Sequence, residues 1–357
     1  MTGRVSMADV ARSAGVSQKT VSRVVNGEPH VSPALRERVL REIERLGFQP
    51  DETARALVTR RSRRIGIVTT RISYFGPASL LRDLEHAARA AGYFVSIVHA
   101  DADDEAEAEH SVRHLLRQGV DGIAVSSPVG LVDPATLVPA GLPLLLMRYP
   151  EDPFPSTPAG DRVVVVGNDD VGGARQATAY LLGLGHRTVH HIAGPPGWPV
   201  TAQRIRGWRD ALRAAGVAET PVRHGDWSAA SGFRAARELL DETGERPPTA
   251  LFVANDQMAI GVLHAIERAG RRVPDDISVI GFDDIPEAAY LSVPLSTLRQ
   301  DFAEMARQGM RRLISAIDGS PGPTPGARIP TELVVRASTA APPGRTTQAS
   351  RASEERR

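Results

Sequence analysis

Apolar residues in the first fifty positions recur every three to four residues. Met7, Val10, Ala11 and Ala14 share one face, Val21, Val24 and Val25 a second, and Leu35, Val39, Ile43 and Leu46 a third. That is the period of amphipathic helices. Start and stop signals frame each one. Ser6 with Asp9 three residues on forms a capping pair, and Ser17 caps the stretch QKTVSRVV after the break at Gly15-Val16. Ser32-Pro33 opens the third helix, and Gly47 ends it. Two short helices joined by a glycine turn and closed by a third follow the helix-turn-helix plan. A protein-binding three-helix bundle has the same spacing, so both uses stay open on periodicity alone.

Beyond residue 64 the pattern changes. The runs IGIVTT, YFVSIVHA, GIAVSS, LPLLLM, TVHHIAG, PVRHGDW, ALFVAN and SVIGFDD alternate with helical stretches such as SLLRDLEHAARAAG, where Leu81, Leu84, Ala88 and Ala91 share a face. This alternation predicts α/β architecture, with parallel sheets covered by helices on both faces. LEHAARAAGYFVSIVHA followed by a helix and GIAVSS is echoed by GWRDALRAAGVAETPVRHGDW followed by a helix and ALFVAN. Two similar lobes enclose a cleft, and ligands of such sheets bind beyond the carboxyl ends of the strands. At those ends stand Thr70, Ser126, Asp226, Trp227, Asn255 and Asp283, with Arg204 opening a helix and Gln300 in STLRQD. Carboxylate, amide and guanidinium groups beside an aromatic face are what a sugar requires.

The charge distribution adds a polyanion partner. The 357 residues carry a net charge of +1, but residues 1–64 hold thirteen cations and seven anions, so that this segment is +6 and the remainder −5. A basic head on an acidic body points to nucleic acid. Near the start of the second helix, Gln18, Lys19 and Arg23 are long polar donors suited to base edges in a major groove. There is no cysteine, which fits a reducing compartment. No apolar run approaches the roughly 18 residues of a membrane span, and the N-terminus lacks an apolar signal region; a cytoplasmic protein with no membrane partner is expected. Enzymatic signals are missing. His190-His191 and Asp283-Asp284 are adjacent pairs on runs whose side chains alternate between faces, and Lys19 is the only lysine. No nucleophile elbow, phosphate loop or zinc-binding H-E-x-x-H occurs. No catalytic residue, metal or cofactor is expected.

The stretch MADVARSAGVSQKTVSRVVNGEPHVSPALRERVLREIERLGFQPDETARAL closely resembles the DNA-binding head of the lactose-repressor (LacI/GalR) family of bacterial transcription regulators. NDD–GG–R, LLGLGH, AGP, GDWSAASGF, ANDQMAIG, ISVIGFDDIPEA and TLRQDF resemble the ligand-binding body of the same family, a fold similar to periplasmic sugar-binding proteins. The resemblance implies that Gln18, Lys19 and Arg23 read bases, while Ser17, Thr20, Ser22, Asn26 and His30 lie near phosphates. It implies that PDETARALVTRRSRR contains a hinge helix, with Arg55 following the minor groove and Leu57 a wedge that unstacks a base step. Arg204, Asn255 and Asp283 would hold sugar hydroxyls, Trp227 would stack on the ring, Gln300 would complete the polar set, and Thr70, Tyr74, Pro77, Leu80 and Ser126 would line the other lobe. GDWSAASGF and ANDQMA match the family's eponymous member closely, which implies a galactoside or related glycoside. Two departures qualify this. Alignment through LGLGH puts Gly172 where that member has an acidic ligand contact, with Asp169 and Asp170 nearby, and Tyr74-Phe75 makes the first lobe more aromatic.

The expected organisation is a helix-turn-helix domain at 1–49, a hinge helix and linker at 50–64, a two-lobed effector-binding and dimerisation domain at 65–337, and a tail at 338–357. Pro, Ser, Thr and charge in APPGRTTQASRASEERR predict disorder. A leucine heptad is absent there, so a homodimer is expected. The expected function is sugar-responsive repression at a near-palindromic operator. The alternatives are a sugar-binding protein whose head contacts protein, and an activator.

Overall fold

The computed structural model describes residues 5–49, 61–69, 74–100, 105–126, 138–139, 141–147, 162–243, 247–320 and 326–343. The hinge segment with Arg55 and Leu57, Thr70, and the tail from 344 onward lie outside the described residues. The chain forms two compact units, Met1–Arg63 and Arg64–Arg357.

In the first unit, helices α1 (Met7–Ser13), α2 (Gln18–Val25) and α3 (Pro33–Leu46) follow the apolar pattern. Ser6 and Asp9 form the reciprocal capping box, the Asp9 carboxylate accepting from the Ser6 amide at 3.0 Å. The Ser17 hydroxyl accepts from the Thr20 amide at 3.2 Å. Ser32 precedes Pro33 but makes no side-chain cap, and Gly47 ends α3 with φ 65°, a conformation that favours glycine. Val10, Ala11, Ala14, Val21, Val24, Val39 and Phe48 form the core, with Ile43 and Leu46 packed at its margin. Arg36 joins α3 to the end of α2, donating to the carbonyls of Val24 at 3.4 Å and Glu28 at 2.7 Å.

The second unit is built on two parallel sheets. In the first lobe, β1 (Arg64–Thr69), β2 (Phe94–His99), β3 (Gly122–Ser126), β4 (Leu144–Leu146) and β5 (Val163–Asn168) alternate with α4 (Phe75–Ala90) and α5 (Glu105–Arg117). The chain crosses to α6 (Asp170–Gly183), β6 (His190–Ala193), α7 (Pro199–Ala214), β7 (Arg223–His224), α8 (Ala229–Thr243), β8 (Ala250–Val253), α9 (Asp256–Arg268), β9 (Ser278–Ile280) and β10 (Thr297–Arg299). It returns for α10 (Phe302–Asp318) and β11 (Gly326–Ile329), then crosses a third time to β12 (Glu332–Val334). The sheet orders are β11-β5-β4-β3-β1-β2 and β7-β6-β8-β9, with β10 and β12 forming an antiparallel pair. All pairings within the two larger sheets are parallel.

Each sheet is buried on both faces, as parallel sheets require. Ile65 and Ile67 of β1 face α4 and α10, whereas Val68 faces the opposite layer with Leu115 of α5. In the second lobe Leu251 and Val253 pack on α8 and α9, and Ala250 and Phe252 on α6 and α7, around Trp208. Four strands, β5, β10, β11 and β12, lie outside the eight runs expected from sequence. Three of them have only three or four residues, and β11 and β12 join sheets after long excursions of the chain. The ordered chain also continues past 337. Ser338, placed in the tail by composition, is fully buried; its hydroxyl donates to the Val279 carbonyl at 2.6 Å and accepts from the Ser296 amide at 2.8 Å. Among the described residues no helix is long and apolar enough to cross a membrane.

Helix pairs in the second lobe approach closely through glycine. A Cβ on Gly261 of α9 would collide with the Ala229 carbonyl oxygen at the start of α8. Gly261→Ala is therefore expected to lower stability by about 1–3 kcal/mol, despite the roughly 1 kcal/mol that alanine gains in helix propensity. Gly183→Ala in α6, where nothing lies within 4 Å of the added atom, is expected to be neutral or stabilising. Urea denaturation midpoints of the two variants separate the effects.

Candidate functional site

In the first unit, Gln18 and Lys19 stand exposed on the first turn of α2, with no acidic residue in that turn. Their neighbours bond to one another. Ser17 and Thr20 share a hydroxyl hydrogen bond at 2.9 Å, and the Asn26 amide donates to the Ser22 hydroxyl at 3.3 Å. Arg23 lies 3.6 Å from Glu28 in a half-exposed ion pair, and His30 holds φ 78° in the exposed turn before α3. Gln18, Lys19 and Arg23 therefore extend from one short helix whose cap and C-terminal turn are fixed by hydrogen bonds.

In the second unit the strands end on a cleft with ≈ 990 Å³ of empty space, partly continuous with solvent. Of the residues expected there, Tyr74, Pro77, Leu80, Ser126, Arg204, Trp227, Asn255, Asp283 and Gln300 line it, and Thr70 is not described. Asp226 does not. Its carboxylate accepts from the Ser228 amide at 3.0 Å and pairs with Arg234 at 3.6 Å, while its backbone carbonyl accepts from the Tyr74 hydroxyl at 3.0 Å. The acidic position also differs from expectation. Gly172 faces the Asp169 cap, its amide 3.0 Å from that carboxylate, and the acid lining the cleft is Asp170, one residue after the cap.

Arg204, 4% exposed on α7, is the hub. Its Nε and Nη2 each lie 2.8 Å from Asp170 Oδ1, Nη1 donates to the Ala254 carbonyl, and Nη2 lies 3.9 Å from Asp283. Its guanidinium stacks 3.7 Å above the Phe282 ring. Asp283 accepts from Gln300 Nε2 at 2.5 Å, and Gln300 accepts from the Asn168 amide at the end of β5. Asn255 caps α9, accepting from the Met258 amide at 3.0 Å, and donates to the Trp227 carbonyl at 3.1 Å. Trp227 and Asp283 sit at φ 72° and 120°, left-handed conformations that non-glycine residues keep only where the surroundings impose them. Gly194 makes room for the Trp227 ring, which a Cβ there would strike.

Sequence reasoning passed over Asn168, Trp198, Gln203, Gln257, Phe302 and the methionines Met147 and Met305, and named Asp170 only as lying near the expected acidic contact; all of these line the cleft. Asn168 stands at the end of β5 and Asp170 just beyond it, and both could have been found by the strand-end rule had that strand been recognised, whereas Gln257 lies in the first turn of α9. The adjacent histidines serve packing. His191 is buried against Phe252, donating Nδ1–H to its carbonyl at 2.9 Å, and burial lowers its pKa to about 3. Asp283 and Asp284 part as expected, Asp284 pairing with Arg299 at 2.7 Å and Arg336 at 2.6 Å. No cluster suited to a metal ion occurs among the described residues.

Residues 6–51 match the model for bacterial regulatory proteins of the lacI family, and residues 178–339 the periplasmic binding protein-like domain. The lactose operon repressor of Escherichia coli (strain K12) is 33% identical over 340 residues, covering 95% of this chain and 91% of its own.

The chain belongs to the lacI family.

The HTH-type transcriptional regulator CelR of Thermobifida fusca is 35% identical over 352 residues, covering 94% and 98%. A crystal structure of the lac repressor dimer bound to operator and the anti-inducer ONPF superposes with TM-score 0.82 at 31% identity, over 95% of this chain and all of that one. The CelR–cellobiose complex superposes with TM-score 0.69 at 33% identity, over 94% and 100%. This lacI-family chain is, like these relatives, a DNA-binding transcription regulator and not an enzyme.

Burial pushes the Asp283 carboxyl up to about 7, with Arg204 and Gln300 opposing the rise and Asp170 adding to it. The acid is thus favoured in the fold, so its stabilising contribution is complete below the unfolded value near 3.8 and is lost as pH rises through about 7. Asp283→Asn is expected to gain stability relative to the parent protein between those limits. Thermal midpoints of both proteins from pH 4 to 8 check this; a constant difference between them would contradict it.

Proposed function

We propose that this chain is a cytoplasmic, homodimeric repressor of sugar-utilisation genes whose operator affinity is set by a glycoside in the cleft. The observation carrying the effector assignment is the Arg204–Asp283–Gln300 constellation beside the buried Trp227: fixed donors and acceptors next to an aromatic face suit a hydroxyl-rich ring. The lac repressor dimer bound to operator and the CelR complex with cellobiose support a DNA partner, a dimer and a sugar ligand of the galactoside or glucoside kind. In the head, Gln18, Lys19 and Arg23 read bases in the major groove of each half-site, and Ser17, Thr20, Ser22, Asn26 and His30 position the helix on phosphates. Arg55 and Leu57 enter the minor groove at the operator centre. The working parts are the head at 1–49, the hinge at 50–64 and a body that runs from 65 past 337 to include the buried Ser338.

Binding of effector and operator are linked reciprocally. Titrating operator binding with galactosides and glucosides is expected to weaken it roughly 5- to 150-fold, the usual range of such couplings. Tightening on addition of sugar would reverse repression by the free protein, and no response to any sugar would remove the effector assignment. Gln18→Ala or Lys19→Ala is expected to cost about 1–3 kcal/mol on operator, with little change on unrelated duplex. Leu57→Ala is expected to reduce DNA bending while sugar binding persists. A flat salt response of duplex binding, instead of a slope of about −0.9 per neutralised phosphate, would favour a head that contacts protein.

A further inference from the structure

Two consecutive residues after β9 hold a backbone conformation that side chains disfavour. The chain turns through Asp283 at φ 120° and Asp284 at φ 55°. Non-glycine residues keep such angles only where their surroundings impose them. Asp283 lines the cleft and Asp284 does not, so the restraint can be sought behind the turn.

Three sets of bonds hold it there. The Asp283 amide donates to the Leu298 carbonyl at 2.8 Å. Asp256, fully buried at the start of α9, accepts from the Ile285 amide at 3.0 Å and from the Thr297 hydroxyl at 2.7 Å. Gly281 leaves space for that carboxylate, since a Cβ there would lie 2.0 Å from Asp256 Oδ1. Asp284, its side chain 9% exposed, accepts from Arg299 Nε at 2.7 Å through one oxygen and from Arg336 Nη2 at 2.6 Å through the other. Both arginines are anchored in turn. Arg336 Nη1 donates to the Leu295 carbonyl at 2.8 Å, and Arg299 Nη1 to Glu332 at 3.2 Å, its partner across the β10–β12 pair.

The Asp283 side chain is held far more lightly than its backbone. It accepts one hydrogen bond, from Gln300, and lies 3.9 Å from an Arg204 whose Nε and Nη2 are both 2.8 Å from Asp170. The charged groups facing it are Arg204 of α7, Asp170 of α6 and Asp256 of α9. Two carboxylates beside one guanidinium leave Asp283 short of cations, and burial disfavours its charge further. Its own contacts therefore do little to keep it in the cleft. The residues that hold the turn are paired in register: Gln300 takes the acid in front of it, and the preceding Arg299 takes the acid behind.

We propose, resting on the assignment of the cleft as the effector site, that Asp284 is a positioning residue for effector recognition: clamped between Arg299 and Arg336, it aims the Asp283 carboxylate into the cleft without touching the ligand.

The test uses the full-length protein, with lactose and cellobiose as calorimetric probes. Asp284→Gly removes the clamp yet accepts a φ of 55° without strain, so a loss of affinity does not come from a strained backbone. It is expected to weaken the sugar that the parent binds by about tenfold or more, as loss of hydrogen bonds to a charged group does. Arg336→Gln opens one arm of the clamp and Arg336→Lys restores its charge; affinity is expected to fall in the order parent, Lys, Gln. This pair decides the matter if Asp284→Gly does not fold, and equal affinities overturn the proposal. A second measurement needs no sugar. The gain in thermal midpoint from Asp283→Asn grows with pH up to about 7 in the parent. In the Asp284→Gly background it is expected to level off nearer 3.8, because an Asp283 released to water titrates as an ordinary carboxylate. Unchanged sugar affinity in Asp284→Gly overturns the proposal, and so does weaker affinity with the pH limit unmoved. If the parent binds neither sugar, the effector assignment loses its support instead, and the pH limit still decides whether Asp284 holds Asp283.

Discussion

A guanidinium almost wholly removed from water has to be neutralised where it lies. Isolated burial of such a charge costs far more than a fold can absorb, and the pairing must have good geometry to recover the desolvation. Arg204 meets this with Asp170, the Ala254 carbonyl, Asp283 and the face of Phe282. These partners come from the start of α6 and the ends of β8 and β9. One charge on α7 therefore ties two strand ends and a helix start into a single floor. The second acid in turn carries a penalty, since burial favours its protonated form. In the proposed complex a sugar hydroxyl donating to Asp283 would favour the carboxylate and so couple binding to proton release at this residue.

The same floor lies where the chain passes between lobes. Asn168 ends β5, Asp170 begins α6, and Gln300 lies between β10 and α10, so the chain Asn168–Gln300–Asp283 runs through two of the three crossings. The third is joined to the first by the Asp169 amide donating to the Ile329 carbonyl at 2.8 Å. In the proposed mechanism a ligand that competes for Asp283 or Gln300 acts directly on the segments about which the lobes turn. Differential contact with two lobe arrangements is what shifts an equilibrium, and here contact and crossing segment coincide.

Much of this was legible in the residues alone, for physical reasons that differ by region. The head reads clearly because caps are local: Ser6 with Asp9, Ser17, and Gly47 act within one turn of chain. The strand-end rule located Ser126, Asn255 and Asp283 because parallel sheets force side chains there into the cleft. It missed Asn168 because β5, VVVVGN, was not recognised as a strand. Asp170 was displaced by two positions because LGLGH fixes the far end of α6, whereas the acid belongs to the cap that starts it. Trp198 sits in GPPGWP, whose glycines and prolines read as a turn; its pairing with Trp227 depends on tertiary structure that no local pattern encodes. Arg36 and Ser338 are similar, since their partners lie on other elements.

The two walls of the cleft divide the work of recognition. The lobe carrying Arg204, Asp283 and Asn255 satisfies its polar groups largely within the protein, so they are already oriented and lose little freedom when a ligand arrives. The facing lobe presents Phe75, Leu80, Phe302 and Met305, with Phe75 and Phe302 in edge contact at 6.1 Å. These four side chains supply area without direction, beside the polar Ser126 and Asn168 of the same lobe. Orientation must come from the polar floor and closure from the apolar wall, since burying the free faces of these side chains is worth roughly 25 cal/mol per Å² only once the lobes enclose something. A ring too small to touch both walls is oriented but gains little from closure, and in the proposed mechanism it is closure that carries effector binding to DNA.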